Sequence, residues 1–280
     1  MKIQLLSLFA LVAGALCASA ETFSESAGLQ LYSLRDQFKK DVPGTMEWVG
    51  KQGFKEVELA TTYGLGAEEF LALLKKNGLT AIAGHYPYDR YKSEPEKVAA
   101  EAKALGLKYA GVAWIPHKDG FDEQDTRDAA EVFNKAGAAL KKEGIQFYYH
   151  IHGYEFHKHG DGTLFDLLME LTDKDTVAYQ LDTLWAVLPD QDPVALLKKY
   201  GSRWQLMHLK DLKKGVALGN HSGGTDVKND VPLGTGQMDW PAILKAAKEV
   251  GVKYYFIEDE SPTSVEQIPQ SVEYLKTVKW

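Results

Sequence analysis

Cysteine is all but missing from this 280-residue sequence, which has one, Cys17. A disulfide framework is thereby excluded, as is a thiolate-rich zinc site. Positive charge is also short, with 32 Lys and Arg against 39 Asp and Glu and a net charge of −7. Nucleic-acid backbones attract clustered Lys and Arg, so this deficit argues against DNA or RNA as partner. No apolar run is long enough to read as a transmembrane span, and no linker rich in Pro, Gly or Ser divides the chain. What is present, 45% hydrophobic and 25% charged residues, suits a globular protein with one large core.

Residues 1–20 stand apart. Lys2 gives a positive start, residues 3–16 are mostly apolar, and Ala18-Ser19-Ala20 reads as a small-residue cleavage site before Glu21. The expectation is a signal peptide over 1–20, one domain over 21–280, and export to the periplasm or the medium. Leu16, directly before Cys17, argues against a lipoprotein anchor.

From residue 27 onward, short apolar runs alternate with longer amphipathic ones. Strands are expected over 27–32, 56–60, 79–84, 109–114, 145–150, 176–181, 204–209 and 253–257. Helices are expected over 44–52, 67–77, 94–105, 125–143, 164–171, 194–200, 241–250 and 265–278, several of them stopped by a glycine such as Gly78, Gly106, Gly144 or Gly251. Eight strand-then-helix units in about 260 residues predict a (β/α)8 TIM barrel of one domain, because a parallel sheet needs a helical crossover after each strand.

Polar residues gather where those strands end. In order they are Gln30 and Tyr32, Glu58, His85, Trp114 and His117, His150, His152 and Glu155, Asp182, His208 and Lys210, then Glu258 and Glu260. Catalytic groups of a TIM barrel lie at the carboxyl ends of its strands, so this pattern points to a shared mouth rather than to core packing. Glu155, Asp182, His208 and Glu258, one from each of the last four strands, form an expected metal set. Three carboxylates and an imidazole suit Mn²⁺, Mg²⁺ or Co²⁺ better than a structural, thiolate-rich Zn²⁺ site, with Zn²⁺ left as a further alternative. The ordinary alternative is that Asp182 or Asp211 merely caps a following turn. The glycine-containing stretch 213–230 is expected to be a long loop, a lid over the mouth.

The segments Tyr149-His150-Ile151-His152-Gly153-Tyr154-Glu155-Phe156, Leu181-Asp182-Thr183-Leu184-Trp185, His208-Leu209-Lys210-Asp211, Pro232-Leu233-Gly234-Thr235-Gly236 and Ile257-Glu258-Asp259 resemble the xylose isomerase-like TIM barrel family. This is the group of sugar isomerases/epimerases and family 2 AP endonucleases. The resemblance implies one divalent ion, often Mn²⁺, held by Glu155, Asp182, His208 and Glu258. Ile151 departs from it, standing where many relatives have Asn. The endonuclease branch is implied less well: Trp185 stands where those members carry an added His, and Asn229-Asp230-Val231-Pro232 replaces their Asp-x-His pair.

The activity this implies is sugar isomerisation or epimerisation, by removal of a proton beside a metal-polarised carbonyl. Glu155, Glu258, His152 and Lys210 are the candidate acid/base groups, with support of the ligands the alternative role for Lys210. Glu58, His85, Trp114, His150 and Trp185 are candidates for holding an unphosphorylated sugar. A lyase that eliminates the aglycone from 3-keto-glycosides is the main alternative, since both reactions share their first step. A non-catalytic sugar-binding barrel is a third reading. Self-association is left open.

Overall fold

The computed structural model describes residue 23 and residues 27–279. The expected signal segment and Cys17 lie outside the described residues. Eight strands, β1 (Ala27–Gln30), β2 (Glu56–Leu59), β3 (Thr80–His85), β4 (Tyr109–Val112), β5 (Gln146–His150), β6 (Val177–Asp182), β7 (Trp204–Leu209) and β8 (Tyr254–Ile257), pair in parallel with their sequence neighbours, and β8 returns to β1. Each is followed by a main helix: α1 (Val42–Lys51), α2 (Ala67–Lys76), α3 (Pro95–Ala104), α4 (Glu123–Lys142), α5 (Leu164–Leu171), α6 (Pro193–Tyr200), α7 (Trp240–Val250) and α8 (Ser264–Thr277). The expected (β/α)8 barrel therefore forms, as a single domain.

Two strands stop earlier than their apolar runs suggest. The Gln30 side chain accepts the Tyr32 N–H at 3.0 Å and turns the chain into the single 3-10 turn Leu31–Leu34. Strand β4 ends at Val112, two residues short of Trp114. Both Tyr32 and Trp114 are thereby moved from the barrel wall to its rim.

Inside the barrel, Ile82, Tyr109, Tyr148, Ala178, Leu206 and Phe256 make a packed plug. Large rings on β5 and β8 are accommodated by glycines on the neighbouring strands. A Cβ on Gly111 would lie 2.7 Å from Tyr148 Cδ1, and one on Gly28 2.8 Å from Phe256 Cδ1. Those approaches are too close for any side chain, so the glycines are required by the packing of the plug. The larger core lies between the strands and the helices and includes Val57, Phe70, Phe133, Leu197 and Trp204. This plug closes the amino end of the cylinder and leaves the carboxyl end to polar residues.

Several connections carry their own fastening. Helices α4 and α5 open with capping boxes, Asp122 with Asp125 and Thr163 with Asp166, which satisfy N–H groups that a helix start leaves free. After β7, Asp211–Leu212 pairs antiparallel with Asp230–Val231 and closes the long loop between them. That loop is tied down where Gly219 and Asn220 donate to the Leu188 carbonyl at 2.7 and 3.0 Å. Among the described residues no helix is long and apolar enough to cross a membrane.

Candidate metal and substrate site

Side chains alternate across a strand, so residues two apart share a face. Tyr148 and His150 on β5, and Gln180 and Asp182 on β6, therefore all turn inward, and parallel pairing sets His150 beside Gln180 and Asp182 beside His208. Beyond the ladder, Thr183 Oγ1 donates to the Lys210 carbonyl at 2.7 Å and accepts its N–H at 3.0 Å, which locks the ends of β6 and β7 together. Glu258 follows β8, its N–H donating to the Leu209 carbonyl at 3.2 Å. Four successive strands thus deliver His150, Asp182, His208 and Glu258, all buried, with one ligand atom of each within 4.8 Å of every other.

The donor chemistry fits one divalent cation. Ligands on opposite sides of an ion at about 2.1–2.3 Å stand about 4.2–4.6 Å apart, close to the observed spread. Asp182 Oδ1 accepts the Trp185 N–H at 3.0 Å, whereas its Oδ2 is buried with no hydrogen-bond partner. Asp182 is therefore both the turn cap and a candidate ligand, one oxygen for each.

A hydrogen-bond relay beneath this group sets both imidazoles. The Gln180 amide nitrogen donates to both oxygens of Glu58 at 3.1 Å, so its oxygen is left as acceptor for His150 Nδ1 at 3.0 Å. His150 must then carry its proton on Nδ1, which leaves Nε2 as a free lone pair. Glu58 also accepts from Tyr148 Oη and pairs with His208 Nε2, which aims His208 Nδ1 toward Glu258 Oε2 at 3.1 Å and Asp182 Oδ2 at 3.6 Å. Carboxylate-bound imidazoles of this kind are the usual support of a metal ligand.

Charge follows the same logic. Burial pushes the Glu58 carboxyl up, but the His208 and His85 imidazoles and hydrogen bonds from His208 and Tyr148 outweigh it and hold the group below its usual range. Burial and the neighbouring His208, His152 and His85 keep His150 neutral, far below the ordinary histidine value. For His208, burial opposes charge, yet Glu58 and Glu258 raise it well above that value. The carboxylates favour positive charge at this point, whether as a proton on His208 or as a cation.

Above the four lies a mouth of about 310 Å³ bordered by Tyr32, His85, Trp114, His152, Glu258 and Glu260. His152 Nδ1 is buried without a partner, and burial, then Lys210, pull the ring down to about 4. The ring is therefore neutral, and its unused nitrogen stands at the mouth within the candidate site, where it is placed to accept a proton. Lys210 Nζ is paired with Glu260 and lies 3.3 Å from Glu258 Oε2 and 3.7 Å from Asp230 Oδ2.

Several residues expected at the site stand elsewhere. Glu155, expected as ligand and acid/base, is absent from the four; His150 occupies its place. After His152 the chain turns at Gly153, φ 91°, into the short turn Tyr154–Phe156, which folds Glu155 back onto Tyr149 Oη and the His152 N–H. Glu58, expected to touch sugar hydroxyls, is fully buried below the mouth with both oxygens engaged. Lys210 is buried behind Glu258 and Glu260 and braces them rather than bordering the mouth. Trp185, expected as a sugar wall, packs on His152 with centroids 4.8 Å apart and lies under Lys210 Nζ at 5.4 Å. His85, Trp114 and His150 do border the mouth. Glu260, one of the strand-end residues, borders the mouth as well, whereas Gln180, Tyr148 and Thr183 are not among those the sequence points to, although Gln180 lies two residues before Asp182 and so on its face.

Comparison with known proteins agrees with this architecture. An inosose dehydratase of Clostridium perfringens is 26% identical over 270 residues, covering 81% of this chain and 85% of that one. An inosose dehydratase of Clostridium tetani is 34% identical over 100 residues, 34% of this chain and 32% of that enzyme. The crystal structure of a sugar phosphate isomerase/epimerase from Parabacteroides distasonis superposes with a TM-score of 0.75 at 25% identity, covering 96% of this chain and 99% of that one. The family model of the xylose isomerase-like TIM barrel matches residues 46–278, and the chain accordingly belongs to that family of enzymes.

Proposed function

We propose that this protein is a divalent-metal-dependent lyase that eliminates a group from the carbon β to the carbonyl of a keto sugar. The observation that carries the reading is the pairing of the four-ligand cluster with the unpartnered Nδ1 of His152 at one mouth. The relatives described as dehydratases support elimination over the isomerisation expected from sequence. Two imidazoles and two carboxylates make a more nitrogen-rich set than expected, which favours Mn²⁺, Co²⁺ or Zn²⁺ over Mg²⁺.

The residues divide the work as follows. His150, Asp182, His208 and Glu258 hold the ion, which when bound polarises a carbonyl and acidifies the adjacent C–H. His152 Nδ1 takes that proton. The electron pair left behind forms a carbon–carbon double bond while the bond from the next carbon to the leaving oxygen breaks, and His152 returns its proton to that oxygen. Gln180 and Glu58 fix the imidazoles beneath, and Lys210 keeps Glu258 and Glu260 in place.

Isomerisation or epimerisation is the second reading, supported by the Parabacteroides structure. Incubation of the metal-loaded protein with keto-glycosides and inososes in D₂O separates the two. Release of an alcohol or water with an unsaturated ketone supports the lyase; a saturated isomer carrying deuterium supports the isomerase. Export and an unphosphorylated substrate belong to the same proposal and rest on residues 1–20; the N-terminal sequence of the mature protein tests the first, and turnover of a keto sugar against its phosphate ester tests the second.

A further inference from the structure

Among the described residues, the exposed large hydrophobics are Tyr32 at 43%, Trp114 at 42% and Leu218 at 43%. Apolar side chains left in water and gathered at one place mark a contact surface. Tyr32 and Trp114 border the same mouth from two sides, one after β1 and the other after β4.

Both rings are held. The Arg35 guanidinium lies 4.6 Å from the Tyr32 ring centre, while its Nη1 donates to the Tyr32 carbonyl at 3.2 Å and its Nη2 to the Glu260 carbonyl at 2.9 Å. His117 stacks on Trp114 with centroids 5.1 Å apart and planes 26° apart, and its Nδ1 is anchored on the Ile115 carbonyl at 2.8 Å. Tyr154 meets Trp114 at 4.9 Å, and its hydroxyl accepts the Ile115 N–H at 2.9 Å. Trp114 also meets His152 at 5.2 Å and has the Gly223 backbone beside its outer edge, yet it stays 42% exposed. A pre-positioned ring loses little freedom on binding, which is what a recognition surface needs.

The inner end of the mouth is closed by the buried layer of Glu58, Tyr148 and Gln180. A sugar placed over the four ligands therefore has its reacting carbons at that end and projects its remaining substituent toward the rim. Elimination of water would use no aromatic surface there. We infer that Tyr32 and Trp114 form a leaving-group subsite, so that the substrate is a keto-glycoside whose leaving alcohol carries a ring. A phenolic alcohol and a second sugar share the needed chemistry, a neutral ring face that stacks on an aromatic side chain. This inference rests on the lyase reading and makes the substrate a glycoside instead of a keto-cyclitol that loses water.

The test uses the full metal-loaded chain and two readouts. Glycosides without the keto group cannot be deprotonated and report binding alone, so methyl, phenyl and glucosyl β-glucosides are titrated calorimetrically against the wild type, Trp114→Ala, Tyr32→Ala and Tyr32→Phe. Phenyl and glucosyl forms are expected to bind about tenfold more tightly than the methyl form. That ratio is expected to fall toward one in Trp114→Ala and Tyr32→Ala, and to be kept in Tyr32→Phe. The 3-keto forms of the same compounds are expected to show the preference in KM rather than in kcat. A ratio near one in the wild type, or equal losses for all three glycosides in the alanine variants, overturns the subsite. Equal release of methanol and phenol overturns it while leaving the lyase intact. Ring-dependent binding with no alcohol released from any keto-glycoside overturns the lyase reading, and with it the assignment of the rim to a leaving group.

Discussion

His150 and Gln180 are joined by a 3.0 Å hydrogen bond whose direction is fixed by the other end of the amide, because Gln180 spends its N–H groups on Glu58. One neutral side chain thereby sets the tautomer of one candidate ligand and steadies the carboxylate that orients another, His208. Gln180→Leu removes both effects without touching the four ligands. The expected result is a loss of metal affinity of about 10- to 100-fold, the range seen when support of a ligating imidazole is removed. Calorimetric titration of the metal-free variant with Mn²⁺ or Zn²⁺ checks this; an unchanged affinity contradicts the relay.

His152 offers the proton-accepting nitrogen. His152→Ala is expected to lower kcat by about 10²- to 10⁴-fold, with exchange of the substrate's α-proton into D₂O lost in parallel. Exchange that continues at the wild-type rate would place the base elsewhere.

Glu155 makes a pH prediction with a definite sign. Burial, against hydrogen bonds from Tyr149 and nearby backbone N–H groups, pushes its carboxyl from 4.5 up to about 7. Between those values the folded protein binds more protons than the unfolded chain, so stability contributed by this group falls as pH rises through that window. The cost above it is on the order of 3 kcal/mol. Glu155→Gln keeps an acceptor for the His152 N–H and removes the titration. Its thermal midpoint is expected to exceed that of the wild type at pH 8 and to converge with it near pH 4.5. Parallel profiles across this range contradict the assignment.

Asp211 is an anchor of another kind. Its carboxylate accepts the N–H groups of Gly234, Gly236 and Met238 at 2.9, 3.1 and 3.3 Å and the Trp240 indole at 2.9 Å. A Cβ on Gly236 would come within 2.1 Å of it, so glycine is required there. Asp211→Ala leaves four donors facing a void and is expected to cost about 3–5 kcal/mol in urea unfolding. A loss below about 1 kcal/mol would show that the loop repacks.

The barrel was legible because it rests on periodicity. Strand and helix bounds follow the apolar runs to within two residues, and the early strand ends before Tyr32 and Trp114 come from turns that a rim needs. Asp182, His208 and Glu258 were legible as strand-end residues, and the structure brings them together. The exchange of His150 for Glu155 was not legible from spacing, because it depends on the left-handed turn at Gly153 that folds the glutamate away. Gln180 and Glu58 act through contacts between residues 122 positions apart, and only the closure of the barrel brings them together.

The central claim is that His150, Asp182, His208 and Glu258 share one ion. An anomalous difference map from a crystal of the Mn²⁺-loaded protein tests it directly. A single peak is expected at about 2.0–2.4 Å from His150 Nε2, His208 Nδ1, Asp182 Oδ2 and a Glu258 carboxylate oxygen. A map with no peak among these four, or with the ion held by Glu155 in place of His150, contradicts the account.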